Sequence, residues 1–324
     1  MNVSTKPIRV SIVIPVYDGA ETIGPLVDSL VDSLRPYFPF EIILINDCSL
    51  DDSERICFEL FEKYKPIIKF YSLAKNVGEH NAVMAGLNNA TGEWIVIMDD
   101  DLQNPVSEVI KLLFFATANA YDVVYTYYHK KKHSILRNIG SRFNDKIATI
   151  MLKKPKDLYL SSFKAVNRFL VNEILKYTLP FPYVDGLILR ATSNIGKLQV
   201  QHNERIKGKS GYSFRKLVSL WLTSFTSFSI IPLRISTIVG FAFAVVSFII
   251  GIEIVIERIM NPSLPVGYAL LVFLITIFAG TQLIAIGVIG EYIGRMFICQ
   301  NKKPQYSIRR TFENTFGDRG NGEK

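Results

Sequence analysis

Three carboxylates stand in a row at Asp99, Asp100 and Asp101, directly after the apolar run Trp94 to Met98 and before Leu102-Gln103-Asn104-Pro105. The run has the length of a buried strand, and a strand ending in acids delivers them to the crevice where open α/β sheets bind ligands. Alternate residues of an extended segment point the same way. Asp99 and Asp101 can therefore converge on one hard cation while Asp100 faces elsewhere. Asn104 reads as an N-cap and Pro105 as the first residue of the next helix. Taken alone, such a triplet is more often an acidic turn that caps the following helix; the rest of the chain shifts that balance.

Arg137 and Ser141 stand one turn apart on a predicted helix, off the apolar stripe of Leu136, Ile139, Phe143, Ile147 and Ile150. From spacing alone, phosphate contact and plain surface solubility are equal readings of Arg137. Gln201 to Tyr212 is punctuated by glycine and rich in cations, among them Arg205 and Lys209, a composition suited to gripping phosphate. The basic run from His129 to His133 reads as a solvated face. Cys48, Cys57 and Cys299 lack the paired spacing of a disulfide framework or a zinc site.

The elements that must position these residues alternate. Buried strands are predicted at Val10 to Val16, Glu41 to Asn46, Ile67 to Leu73, Trp94 to Met98 and Tyr121 to Tyr127. Helices are predicted between them, at about 21–35, after Asp51-Asp52-Ser53, at Ala82 to Asn89 and at Val106 to Ala118. That order implies a mostly parallel, doubly wound sheet with its polar strand ends along one edge. Beyond it, a strand is expected near Leu158 to Val166, helices after Asn167 and around Val184 to Ser193, and a strand at Lys197 to Val200.

The C-terminal third carries much of the 49% hydrophobic content of the 324 residues. Phe214, Leu217, Val218, Trp221, Phe225 and Phe228 share one narrow helical face, the pattern of a helix lying in a membrane interface. Ile235 to Ile252 and Gly267 to Gly290 are uncharged, the second long enough to cross the hydrocarbon. Arg234 before the pair, and Arg295, Lys302, Lys303, Arg309 and Arg310 after it, put both outer flanks in the cytoplasm. The expected organisation is an α/β domain over 1–212, an interfacial helix over 213–232, and a two-helix hairpin over 233–298. Its spans fall at about 235–257 and 267–290, and a partly disordered cytoplasmic tail covers 299–324, with polar disorder from 311. Ile8 to Val16 is too short and proline-broken for a signal peptide, so the first domain is expected to stay in the cytoplasm, on a multi-pass protein of the plasma membrane. A net charge of +8 suits anionic lipid or phosphorylated substrates; no nucleic-acid signature accompanies it.

Taken together, Val13 to Tyr17, Asn46 to Ser49, Lys75 to Ala82 and Asp99 to Pro105 resemble glycosyltransferase family 2. Arg137 with Ser141, the stretch Glu204 to Ser213, and Gly290 to Arg295 narrow the likeness to the polyprenyl-phosphate glycosyltransferases. The resemblance runs from about residue 8 to about residue 306. It implies a GT-A fold, with Pro15, Tyr17 and Asp47 at the nucleotide base and ribose, and Asp99 and Asp101 on a divalent metal, Mg²⁺ or Mn²⁺. Gln103 would follow on the donor. Arg137, Ser141, Arg205 and Lys209 would hold the donor diphosphate or the lipid phosphate. Asp99, Asp101, Arg137 and Arg205 are then the expected catalytic set.

The implied reaction is inverting transfer of a hexose from a nucleotide-diphosphate sugar, expected to be UDP-linked, to a polyprenyl phosphate, expected to be undecaprenyl phosphate. The resemblance also allows a homo-oligomer formed through the membrane part. Four departures from the family pattern fall near donor and acceptor contacts: Asp18-Gly19 for Asn-Glu, Asn46 for an acid, Tyr128 for an arginine and Gly211 for a lysine. A processive polysaccharide synthase is disfavoured, because neither Trp94 nor Trp221 sits in a Gln-x-x-Arg-Trp context. A non-catalytic membrane module that binds a sugar nucleotide is the alternative from another class.

Overall fold

The computed structural model describes residues 8–128, 154–155, 157–203, 231–260, 267–301 and 304–313. The chain divides into two compact units, Met1–Gly211 together with Pro304–Lys324, and Tyr212–Lys303. In the first unit the near-continuous apolar runs become strands buried on both faces, as parallel sheets require. They are β1 (Val10–Val16), β2 (Phe40–Asn46), β3 (Ile68–Leu73) and β4 (Trp94–Ile97). Helices α1 (Ile23–Leu34), α2 (Ser53–Lys63) and α4 (Val106–Ala118) close one face. There Leu26, Cys57 and Leu112 pack with Ile12, Ile14, Leu44 and Val96, all fully buried. Helix α3 (Glu79–Asn89) packs against β1 and β2.

The second half of the sheet departs from a parallel pattern. After β5 (Val123–Tyr128) come β6 (Lys164–Asn167), α5 (Arg168–Leu175), α6 (Val184–Ala191) and β7 (Ile195–Val200). The eight-stranded order is β7-β5-β6-β4-β1-β2-β3-β8. Strand β6 runs antiparallel between β4 and β5, pairing Ile97 with Lys164 and Trp94 with Asn167. Its beginning therefore lies beside the end of β4, bringing residues 161–164 next to the acidic triplet.

Strand β8 (Ile308–Phe312) lies antiparallel to β3 at the sheet's edge. This corrects the expectation of polar disorder at residues 311 and 312; residues 314–324 lie outside the described residues. Phe312 stacks on Phe70 with ring centres 5.4 Å apart and also meets Phe58 and Phe61, so an aromatic anchor outweighs the polar composition around it.

Three smaller expectations are also corrected. Asn104 does not cap α4: its Oδ1 accepts from the Tyr128 hydroxyl at 3.1 Å, and Pro105 itself occupies the cap position. Strand β4 ends at Ile97, one residue early. The strand expected near Leu158 to Val166 begins only at Lys164.

In the second unit the two uncharged stretches form α7 (Ile231–Met260) and α8 (Tyr268–Gln300), which touch at Phe243 and Phe278. Large apolar side chains point outward on both, among them Phe241 and Ile284, each over 70% exposed. Among the described residues one stretch, Ile277–Gln300, is by length and composition apolar enough to cross a membrane.

Candidate functional site

The loops that follow β1, β2 and β4 meet at one edge of the sheet. Each contains a non-glycine residue with left-handed backbone: Asp18 (φ 53°), Cys48 (φ 56°) and Leu102 (φ 59°). Strain of this kind persists only where surrounding structure over-determines it, and it gathers at ligand sites. Here the loops are laced together. Asp18 Oδ1 accepts from Leu50 N at 2.9 Å, Gly19 N donates to Ser53 Oγ at 2.9 Å, and Asp51 Oδ2 accepts from Ala20 N at 3.0 Å. Asn46 accepts from Ser49 Oγ at 2.7 Å and donates to Ser72 Oγ at 3.2 Å. Two departures from the family pattern, Asp18 and Asn46, thus tie loops together.

Asp99 leaves β4 into a cavity of about 300 Å³ that Gln103, Tyr128, Tyr159, Ser162 and His202 also line. Its Oδ2 accepts from Ser162 Oγ at 2.5 Å. Burial, then the nearby carboxylates of Glu79 and Asp101, push the Asp99 carboxyl up to about 6, against the Ser162 hydrogen bond and the charge of Lys164. Asp100 turns toward the β1–α1 loop, where it presses against Gly19. Burial, with Asp99 and Asp101 on either side, raises it to about 7, and its Oδ2 accepts no hydrogen bond. Asp101 Oδ1 accepts from Gln103 N at 3.2 Å, which folds the triplet back on itself. Gln103 in turn holds Asn203, its carbonyl accepting from Asn203 N at 2.8 Å. Acids at this density fit a hard divalent cation, which would offset the mutual repulsion that adds to burial in raising Asp99 and Asp100. Among the described residues no three His, Cys, Asp or Glu side chains converge as ligands. Among those residues the share offered to a cation is a carboxylate pair, as is common for Mg²⁺ sites completed by phosphate and water.

Asp47 ends β2 buried, with Oδ1 accepting from Val77 N at 2.7 Å and Oδ2 from Gly78 N at 2.9 Å. Burial still raises its carboxyl above the ordinary value. Gly78, at φ 87°, supplies the left-handed turn that presents both amides to one carboxylate. Tyr17 is 45% exposed on the β1–α1 loop, two residues beyond Pro15. Tyr128, standing where the family pattern has an arginine, stacks obliquely on His202 with ring centres 4.1 Å apart. Arg137, Ser141, Arg205, Lys209 and Gly211 lie outside the described residues.

Sequence reasoning missed a charged cluster behind Asp99. Lys164 donates to Asp185 Oδ1, with side chains only 4% and 10% exposed. Tyr125 donates its hydroxyl to the same oxygen at 2.7 Å, and its ring lies 5.1 Å from the ammonium. Glu79 is open to solvent, yet the protein around it and Asp185 raise its carboxyl, while Lys164 lowers it. His80, edge-on to Tyr183 at 5.0 Å, is pushed by burial down to about 4, so it is neutral at pH 7. The available signal was a lysine inside an otherwise apolar strand, Phe163-Lys164-Ala165-Val166.

Gly19 gives the site a mechanical test. A Cβ there would lie 2.1 Å from Asp100 Oδ2 and 2.9 Å from its Cγ, so Asp100 must move and drag its neighbours. Gly19→Ala is expected to lower activity by about 10²-fold while the fold persists, read by turnover beside a thermal melt.

Residues 11–175 match the family described as "Glycosyl transferase family 2". The undecaprenyl-phosphate 4-deoxy-4-formamido-L-arabinose transferase of Klebsiella pneumoniae (strain 342) is 32% identical over 307 residues, 93% of each chain. Its counterpart in Photorhabdus laumondii is 30% identical over 305 residues, covering 93% of this chain and 94% of the relative. Among solved structures, glucosyl-3-phosphoglycerate synthase from Mycobacterium tuberculosis aligns with a TM-score of 0.49 and 18% identity, over 67% of this chain and 76% of that one.

Proposed function

The chain belongs to glycosyl transferase family 2, and from that premise we propose that it moves a sugar from a UDP-sugar to undecaprenyl phosphate, with inversion at the anomeric carbon. The observation that carries the reading is Asp99, raised to about 6 at the end of β4 on the wall of the cavity, with Asp101 beside it. Asp99 and Asp101 would hold Mg²⁺ or Mn²⁺. When bound, such a cation offsets the charge that develops on the leaving diphosphate.

The chain's own residues carry the remaining steps. Pro15 and Tyr17 flank the base and ribose, and Asp47 fixes the 77–78 turn beneath them. Gln103 orients the diphosphate from the loop it shares with Asp101. Arg137, Ser141, Arg205 and Lys209 draw the two anionic phosphates together. A phosphate acceptor is largely ionised at pH 7, so it attacks without a side chain removing a proton. His80, neutral and packed on Tyr183, is not needed as a base. The family likeness points to a hexose, whereas the relatives' names specify a formamido-pentose.

Membrane anchoring belongs to the same proposal. The helical unit is inserted between β7 and β8, two strands of one sheet, so its flanks share a side and any crossings come in pairs. The exposed apolar side chains of α7 and α8 and the basic flanks support a hairpin whose ends are cytoplasmic, preceded by an interfacial helix over 213–232. A cysteine in place of Ser263, in a chain whose Cys48, Cys57 and Cys299 are changed to serine, should then be labelled by an impermeant thiol reagent from the outer side; labelling from the cytoplasmic side alone would refute the hairpin.

Transfer itself is tested with purified protein, undecaprenyl phosphate and a panel containing UDP-hexoses and UDP-4-deoxy-4-formamido-L-arabinose, read by the mass of the lipid product. One donor is expected to give a glycosylated lipid with Mg²⁺ or Mn²⁺ present and none after chelation. Binding of the donor with no transfer to lipid would favour the non-catalytic module instead.

A further inference from the structure

The segment that returns from α8 does more than extend the sheet. Ser307 O accepts from Ala74 N at 2.8 Å, and the Arg309 guanidinium donates to Ala74 O at 3.2 Å, so both backbone polar groups of Ala74 are held from the C-terminal segment. Ala74 opens the turn whose Val77 and Gly78 amides bind Asp47. Gln305 Nε2 donates to Tyr177 O and Leu179 O, each at 2.8 Å, gripping the loop that leads to Tyr183 and Asp185. The two loops gripped in this way meet where His80 packs on Tyr183, beside the cluster behind Asp99. Arg310 adds an exposed contact to Glu54 at 3.2 Å, and Phe312 anchors the far end on Phe70.

We propose that residues 305–310 are a positioning strap: through Ala74 they hold the turn over which the nucleotide lies, and through Tyr177 and Leu179 the loop that reaches the cluster behind Asp99, so that detaching them weakens nucleotide binding specifically. The inference rests on the proposed function, since it places a nucleotide over the Asp47 turn. Side-chain hydrogen bonds from Gln305 and Arg309 reach backbone carbonyls on two separate loops, which a strand serving only to cover the β3 edge would not need.

The test is the full-length double variant Gln305→Ala/Arg309→Ala, with UDP in the presence of Mn²⁺ as the probe. Loss of three hydrogen bonds to loop carbonyls should raise the Kd for UDP about tenfold. Amide exchange at Val77 and Gly78 should quicken, while α1 and α4 keep their protection and the melting temperature barely moves. Arg309→Lys with Gln305 intact should stay within about twofold of wild type. A Kd unchanged within about twofold, or unchanged exchange at Val77 and Gly78, overturns the strap. Should wild-type protein not bind UDP at all, the functional reading fails and the exchange arm alone decides: unaltered protection there still overturns the strap, and faster exchange upholds it.

Discussion

Asp99→Asn is expected to reduce sugar transfer by about a thousandfold and, at pH 7, to raise the melting temperature of the metal-free protein. Both effects follow from one cause. The Asp99 carboxyl stands at about 6 in the folded chain because burial, Glu79 and Asp101 oppose its charge. An acid whose folded value exceeds its unfolded one binds its proton more tightly when folded, so ionisation costs stability. Below about pH 4 both states are protonated and the cost is absent; it grows between about pH 4 and 6 and is full above that. Asparagine keeps the shape and removes the charge, so the metal-free fold gains where the reaction loses. Melts at pH 7 and pH 4 make the check: the stabilisation should be present at the first and vanish at the second. A variant that loses activity and stability together at pH 7 would point to Asp99 as a structural residue.

Lys164→Met should cost about 3–5 kcal/mol of stability, a large share of what holds a typical domain together. Lys164 is a buried cation facing Asp185, and it also lowers the carboxyls of Glu79 and Asp99. Removing it leaves Asp185 with only the Tyr125 hydroxyl among these partners, and leaves the remaining acids without that offsetting charge. For a unit of this size that corresponds to a fall in melting temperature of about 10 °C. The double variant Lys164→Met/Asp185→Leu should recover most of that loss, because an apolar pair replaces an ionic one at similar volume. Activity should not return with it, since the charge beside Asp99 is still gone. A single variant that melts within a degree of wild type would show that the pair contributes little.

How much of this is legible in the chain depends on distance along it. Strand β4 and its acids could be read because an apolar run stops abruptly at charged residues. The first four strands follow from short apolar runs, and α1, α2 and α4 from the turn and start signals between them. The family likeness carried by residues 13–17, 46–49, 75–82 and 99–105 is borne out by the family match over residues 11–175 and by relatives at 30–32% identity along most of the chain. The α/β, GT-A type of sheet follows with it. Other features depend on partners that local pattern cannot name. Lys164 meets Asp185 only because β6 runs antiparallel beside β4, and from sequence it is one cation in a short strand. Phe312 meets Phe70 across more than two hundred residues, so its charged surroundings read as tail rather than edge strand. Asp18 is a type that accepts positive φ, but Cys48 and Leu102 are not, and nothing in their own types announces the left-handed backbone they adopt. Asn104 shows the opposite error: its type is right for a cap, but the Tyr128 hydroxyl takes its oxygen first.

The most direct measurement is Mn²⁺ binding followed by electron paramagnetic resonance, with and without UDP, in wild type, Asp99→Asn and Asp101→Asn. Wild type is expected to take up one Mn²⁺ when UDP is present, and each variant to leave the ion free in solution. Full occupancy in both variants would contradict the assignment of this acidic pair to a cation at the sheet's edge.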